Sequence, residues 1–348
     1  MKKVYTFHEH GSPSHFNALE HLTNRENISL CHREFDYYRQ LVMLVKTRGK
    51  NTLKLFLNFK FLISLIFTSN KIIIVGIAPY NFNLKFLRPL LKKHRVFLFT
   101  SYTCWDQSIM AHSKYFSKNI LSVWRQFIFN DTEHVFAVSE KTKRELIANG
   151  FKAKDQITVV HHSYKMEIQP SENKEKTLNF ITVASLSESK GIDELLKIFK
   201  KLPNCKLTIV GKGPMEGEIK QACLDYINIC YLGYIKGLDN LLPVYKENCF
   251  LLLNSKKSNY WEELFGMVII EGMSCGVIPI TTNHSGPKEI ITNNRNGLIC
   301  AEGDIESGIK YAIKMQGDEF LEMKNSAILR GQEFRSNVVS RRWETIIN

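Results

Sequence analysis

The sequence predicts an α/β protein made of two doubly wound, Rossmann-like domains. Three observations carry this. The chain has 348 residues, the length of two ordinary domains. Short aliphatic, β-branched runs alternate along it with segments whose apolar residues recur at helical spacing. Hydrophobic residues make up 44% of the chain, enough for two cores, and no repeat or low-complexity stretch interrupts them.

Residues 3–8 read as a first strand, followed by the polar loop HEHGSPSHF. His8, His10 and His15 stand close in that loop. Metal binding and contact with a phosphate or an acceptor both stay open for them. Residues 28–31 read as a second strand, and residues 37–67 as helical, basic and amphipathic. The most apolar stretch, LKLFLNFKFLISLIF at residues 53–67, is shorter than the roughly 20 residues that span a bilayer, and it contains Lys54 and Lys60. It reads either as a core helix or as an interfacial helix that docks on anionic lipid through Lys46, Arg48, Lys50, Lys54 and Lys60.

Residues 71–77, KIIIVGI, are a buried parallel strand. A helix over 81–94 and a strand over 95–101 follow. The loop YTCWD comes next, at a strand end of the kind outside which open α/β sheets bind ligands. A strand over 134–139, a helix over 140–149 ended by Gly150 and a strand over 157–161 complete the first domain, residues 1–165. The polar segment 166–176, with Pro170, is the linker. The second domain, 177–330, opens with a strand at 180–186. Ile192, Leu195, Leu196 and Phe199 then mark a helix beginning near Gly191. Residues 187–191, SESKG, therefore lie at a strand end and a helix start, a good place for a diphosphate. A strand at 206–210 leads into Gly211-Lys212-Gly213-Pro214, which lacks the G-x-G-x-x-G dinucleotide fingerprint. Residues 331–348 read as a closing amphipathic helix with Trp343.

The stretch 254–289 is the most informative. After the buried strand 250–253 come polar residues, Glu262, Glu263, Phe265 and Gly266. A nearly all-apolar helix follows, in which Glu271 is the only charge. An unpaired buried carboxylate costs several kcal/mol, roughly, so Glu271 needs a partner in the fold or a ligand hydroxyl. The N-terminal N–H groups of this helix attract anions and hydroxyl oxygens, and Gly266 permits close approach to the backbone.

The run Glu263-Leu264-Phe265-Gly266, with Glu271 eight residues after Glu263, resembles the E-x-F-G-x-x-x-x-E signature of family-4 retaining glycosyltransferases, enzymes with the two-domain GT-B fold. Four further blocks resemble that family in order. They are Ser185-Leu186 with Lys190-Gly191, the Val210-Gly211-Lys212-Gly213-Pro214 turn, Leu232-Gly233-Tyr234-Ile235, and Ser285-Gly286 with Glu289. The resemblance implies two Rossmann-like domains facing across a cleft, with a C-terminal helix crossing back to the first. It gives Glu263 the donor sugar and Lys190 the donor diphosphate, the two catalytic assignments. It gives Glu271 the ribose, and Phe265, Gly266, Met267, Ser185, Gly11, Tyr234 and Ile235 places around the donor. Ser185 stands where the family carries arginine, and Gly11 is what remains of a glycine-rich loop. Tyr102 and Asp106 are the acceptor-side candidates, beside Ser101. The family needs no metal and no cofactor beyond the nucleotide-sugar donor.

Residues 1–165 hold 25 Lys and Arg against 11 Asp and Glu, so this half alone exceeds the whole-chain net charge of +13. No helix-turn-helix, zinc or RNP pattern accompanies that charge, which argues against nucleic acid and for an anionic membrane surface. Eight scattered cysteines without C-x-x-C spacing fit a reducing compartment, and no secretory apolar segment opens the chain. The reading is therefore a cytoplasmic protein, peripheral on the inner face of the cell membrane. It transfers a hexosyl group to a lipid-linked glycan in cell-surface polysaccharide or lipopolysaccharide assembly. A GT-B phosphorylase or epimerase, or a non-catalytic nucleotide-sugar-binding subunit, is the alternative.

Overall fold

The computed structural model describes residues 2–9, 11, 13–46, 52–103, 105, 118–172, 175–258 and 261–347. The chain forms two compact units, Met1–Lys165 with Ser336–Asn348, and Met166–Arg335.

The first unit runs β1 (Lys3–His8), α1 (Asn17–Arg25), β2 (Ser29–Glu34), α2 (Tyr37–Lys46), α3 (Thr52–Phe67), β3 (Ile72–Gly76), α4 (Leu84–Leu91), β4 (Arg95–Thr100), α5 (Lys118–Gln126), β5 (His134–Ala137), α6 (Glu140–Ala148) and β6 (Ile157–Val159). Its six strands are parallel in the order β2-β1-β3-β4-β5-β6. β2 is longer than the sequence suggests because it pairs with β1 at six consecutive positions, from Lys3↔Ser29 to His8↔Glu34. Every residue of β3 is buried, as expected for a strand covered on both faces. Phe7, Ile73, Val75, Leu98, Trp105 and Trp124 sit in this core.

α3 is only half a core helix. Asn58, Phe61 and Leu65 are buried. Asn58 is pinned there, donating to Gln40 Oε1 at 2.7 Å and accepting from the Glu34 N–H at 3.2 Å. The rest of its apolar surface faces outward, with Phe56, Phe59, Ile66 and Phe67 all at least half exposed.

The second unit runs β7 (Asn179–Ser185), α7 (Ile192–Phe199), β8 (Lys206–Lys212), α8 (Glu216–Asp225), β9 (Ile229–Tyr231), α9 (Leu238–Lys246), β10 (Phe250–Leu253), α10 (Met267–Cys275), β11 (Ile278–Thr282), α11 (Ser285–Ile290), β12 (Leu298–Cys300), α12 (Ile305–Lys314) and α13 (Gly317–Gln332). Its strands are parallel in the order β12-β11-β10-β7-β8-β9. Phe180, Phe250 and Phe320 centre its core, with Phe180 stacked on Phe250 at 5.0 Å.

Each sheet has one point where the winding reverses, between β1 and β3 in the first and between β7 and β10 in the second. Strand ends at such a point leave a crevice where doubly wound sheets bind ligands.

The chain end is not the single helix that the sequence suggests. α13 stops at Gln332, a turn follows, and α14 (Ser336–Val339) continues as a 3-10 stretch, Ser340–Ile346. Two aromatic anchors account for the break. Phe334 packs on Phe265 in the second unit, whereas Trp343 is buried in the first, 4.4 Å from the Phe136 ring. The Ser336 N–H and hydroxyl both donate to the Tyr164 carbonyl, at 3.0 and 2.8 Å.

Candidate active site

The reversal point of the second sheet gathers side chains from two loops that follow adjacent strands. After β7, residues 188–190 make one 3-10 turn and Gly191 opens α7. After β10 comes Asn254-Ser255-Lys256. The two loops are laced together. Asn254 Nδ2 donates to the Gly191 carbonyl at 3.2 Å and to Glu194 at 3.1 Å. The Lys256 N–H donates to the Ser189 carbonyl at 2.9 Å, and its ammonium to Asp193 at 3.0 Å.

This lacing holds Lys190 against Glu263. Their ammonium and carboxylate form a mostly buried ion pair. Ser255 donates to the same Glu263 oxygen at 3.0 Å and lies 3.4 Å from the Lys190 ammonium, which also sits 4.4 Å from the Trp261 ring centroid. Desolvated, hydrogen-bonded ion pairs hold their geometry far better than exposed ones.

His284 fixes the backbone of the same loop. Its Nδ1 accepts from the Glu263 N–H at 3.3 Å, so its Nε2 carries the proton and donates to the Ser255 carbonyl at 2.7 Å. The Glu263 carbonyl in turn accepts from the Gly286 N–H at 3.1 Å. A Cβ at position 286 would fall 2.3 Å from the Phe265 nitrogen, so only glycine allows α11 to pack this closely. Gly266, the N-cap of α10, has φ +96° and is restricted to glycine by its backbone conformation.

Glu271 lies one and a half turns into α10. Its partner in the fold is Tyr245 of α9, whose hydroxyl donates to Glu271 Oε2 at 3.2 Å. Burial pushes the Glu271 carboxyl up to about 7 although this hydrogen bond favours the charged form, and Tyr245 is itself raised by burial. Part of Glu271 stays accessible to solvent.

The remaining sequence candidates distribute as follows. Ser185 is exposed at the end of β7, where it is in register with Lys212 of β8. The Lys212 ammonium sits 4.7 Å from the ring centroid of the exposed Tyr234, and Ile235 follows, half-buried. Met267 is the half-buried first residue of α10, and the Phe265 ring is committed to packing on Phe334. In the first unit Gly11 has φ +66°, and a Cβ there would strike the Glu34 carboxylate. Tyr102 is partly exposed at the end of β4. Asp106, His10, Arg48 and Lys50 lie outside the described residues.

Sequence reasoning did not single out Tyr245, Ser255, Trp261 or His284. Their roles follow from strand order and loop packing, which leave no spacing signal in the chain. Among the described residues, no group of three or more His, Cys, Asp or Glu side chains is placed to hold a metal ion.

Residues 164–333 match the family model described as glycosyl transferases group 1. The chain is 27% identical over 245 residues to the N-acetyl-alpha-D-glucosaminyl L-malate synthase of Bacillus anthracis, covering 60% of this chain and 63% of that protein. It is 26% identical over 202 residues to the amylovoran biosynthesis glycosyltransferase AmsK of Erwinia amylovora, covering 55% and 49%. The chain thus spans less than two thirds of either relative. Among solved structures it superposes on Anabaena HepE in complex with UDP with a TM-score of 0.70 at 14% identity, covering 100% and 99% of the two chains. On the apo form of the lipopolysaccharide outer core galactosyltransferase WaaB the TM-score is 0.64 at 16% identity, covering 99% of both. The fold is GT-B, two Rossmann-like units each built on a parallel six-stranded sheet. The matched segment, residues 164–333, coincides with the second unit.

Proposed function

We propose that the chain is a family-4-like retaining glycosyltransferase that moves a hexosyl group from a nucleotide sugar to a hydroxyl of a glycan acceptor, without metal or other cofactor. The observation that carries this reading is the Lys190–Glu263 pair with Ser255 at the reversal point of a group 1 segment. The reaction builds positive charge on the anomeric carbon and negative charge on the departing diphosphate. Groups fixed in advance stabilise both.

Lys190 has three N–H donors. Glu263 and Ser255 take two, and the third faces the Trp261 ring, which a phosphate oxygen would replace. Lys212, beside Ser185, supplies the second positive charge toward the diphosphate. The N-terminus of α10 at Gly266 adds backbone donors. Glu263 orients the sugar hydroxyls, and Glu271, already accepting from the Tyr245 hydroxyl, takes the ribose hydroxyls. HepE has been solved with UDP-glucose, which favours a UDP-linked hexose as the first donor to test. A thermal-shift screen of UDP- and GDP-sugars on the wild type, Lys190→Ala and Glu263→Ala checks this. A shift with one nucleotide sugar, reduced in both variants, is expected. Equal shifts in all three proteins reject the site.

The acceptor is lipid-linked in this reading, and the protein works at an anionic membrane face in polysaccharide or lipopolysaccharide assembly. The outward apolar surface of α3, with Lys54 and Lys60 on the same helix, supports it. AmsK and WaaB bear names from such pathways. No described helix is long and apolar enough to cross a membrane. The protein should sediment with phosphatidylglycerol vesicles at low salt, and Phe56→Ser with Phe59→Ser should leave it in the supernatant. Wild type that stays in the supernatant overturns the membrane part alone.

A further inference from the structure

We propose that the slot between α2 and α3 is a lipid site that takes up one unbranched acyl chain of an anionic membrane phospholipid. This builds on the membrane part of the reading above and names what enters the protein there.

The slot has a volume of about 490 Å³. Ligand sites span roughly 300–1,000 Å³ and are lined mostly by apolar side chains. Thr52, Leu55, Phe56, Phe59 and Leu62 of α3 form one wall. They recur at helical spacing and so make a single stripe, about 15 Å long at the rise of an α-helix. Tyr37 and Leu41 of α2, one turn apart, form the facing wall.

The two helices are tied along their inner edge. The Tyr37 hydroxyl donates to the Asn58 carbonyl at 3.2 Å, and Asn58 Nδ2 donates to Gln40 Oε1 at 2.7 Å. These polar contacts fix the spacing of the helices. Outside them Leu41, Phe56 and Phe59 present apolar surface to solvent, each more than half exposed.

Size and lining choose the chain. A methylene fills about as much space as a water, roughly 30 Å³, so the slot takes about 16 of them, one long acyl chain. Of the lining residues only Tyr37 and Thr52 carry a hydroxyl, and that of Tyr37 is spent on Asn58. Such a wall recognises hydrocarbon, since orienting a polar ligand takes several convergent polar groups. A chain that enters also removes the protein's own apolar wall from water.

Charge chooses the head group. Between Asp36 and Asp106 the sequence has twelve Lys and Arg and no Asp or Glu. This stretch holds α2, α3 and α4, and α3 packs beside both of the others. Lys60 of α3 and Lys85 of α4 are exposed. A surface of this kind attracts an anionic head group at the leaflet. It also repels a second copy of itself, which argues against a dimer sealed through this face.

The test is displacement of cis-parinaric acid, a fluorescent fatty acid, from the full chain in solution by lysophosphatidylglycerols below their micelle concentrations. Each two methylenes added to the displacing chain should tighten binding about tenfold, and the gain should stop at about 16 carbons, where the slot is full. Lysophosphatidylcholine with the same chain should bind at least about tenfold more weakly. Leu41→Trp, which fills the slot yet keeps the surface apolar, should weaken uptake at least about tenfold while the melting temperature and UDP binding stay unchanged. Should Leu41→Trp fail to fold, Thr52→Phe is measured in its place, with the same loss expected. No displacement, a gain that continues with chain length, equal binding of the choline lipid, tighter binding of farnesyl phosphate, undiminished uptake in the variant, or a dimer that Leu41→Trp abolishes overturns the proposal. Wild type that takes up the chain in solution but stays off phosphatidylglycerol vesicles sinks the membrane reading and leaves this one standing. Wild type that sediments with vesicles but takes up no chain sinks this one alone.

Discussion

The two units present the same point of their sheets, the reversal of strand order, in opposite electrostatic states. The second fills it with full charges, the Lys190–Glu263 pair, and carries Glu271, raised by burial to about 7, on α10. The first places there the imidazoles of His15 and His162, which burial holds neutral, beside the carboxylate of Glu9. The difference shows that the same sheet topology can carry a charged cluster in one unit and a neutral one in the other.

The contrast makes the units respond oppositely to pH, and the largest expected effect tests this. His162 has a folded-state value near 3 against an ordinary 6.5, from burial first and the neighbouring histidines second. The folded state then binds fewer protons, so the first unit loses stability as pH falls from about 6.5 toward 3, by up to about 5 kcal/mol. Trp105, Trp124 and Trp343 are buried in this unit, and Trp261 is the only other tryptophan in the chain, so urea unfolding followed by fluorescence reports it. A flat profile from pH 7 to pH 4 would break the comparison.

Next in size is the charge pair. Lys190→Ala and Glu263→Ala should each lower glycosyl transfer by roughly 100-fold to 1,000-fold, the range for removing one preorganised group at a developing charge. Steady-state release of nucleoside diphosphate measures it, and a loss under about tenfold would reassign the site.

Glu271 gives an effect of on the order of 3 kcal/mol. Its value, raised from 4.5 to about 7 by burial, means that the folded state binds the extra proton between those pH values. Its contribution to stability is therefore lost as pH rises through that window, the reverse of His162. Glu271→Gln should make the second unit more stable at pH 8 by about that amount, by differential scanning calorimetry, while donor binding weakens. Stability bought at the expense of binding is the mark of a functional buried acid. The smallest effect is expected at Lys212, which is exposed. Lys212→Ala should raise the donor KM about fivefold at low salt and less at high salt, as for other screened surface charges.

Much of the fold is legible in the chain because covered parallel strands must be continuous apolar runs, as at Ile72–Gly76 and Phe250–Leu253. Lys190 and Glu263 also stand out, each at a strand-end loop, though 73 residues separate them. What the sequence does not disclose is which loops become neighbours. Tyr245 reads as one more apolar position of α9 until α10 packs on it, and His162 reads as the tail of β6 until its ring meets His15. The sequence of α3 is ambiguous for another reason, since an apolar run of its length suits a core or an interface, and only the burial of Asn58, Phe61 and Leu65 shows which residues face inward.

The return of Ser336–Asn348 to the first unit means that unit is split in sequence and Met166–Arg335 is a contiguous insert within it. Excising the insert yields a single uninterrupted polypeptide with its own core, suited to isolated expression. Cutting after Lys165 does the opposite: it strips Trp343 from Phe136 and leaves an aromatic hollow in the half that remains.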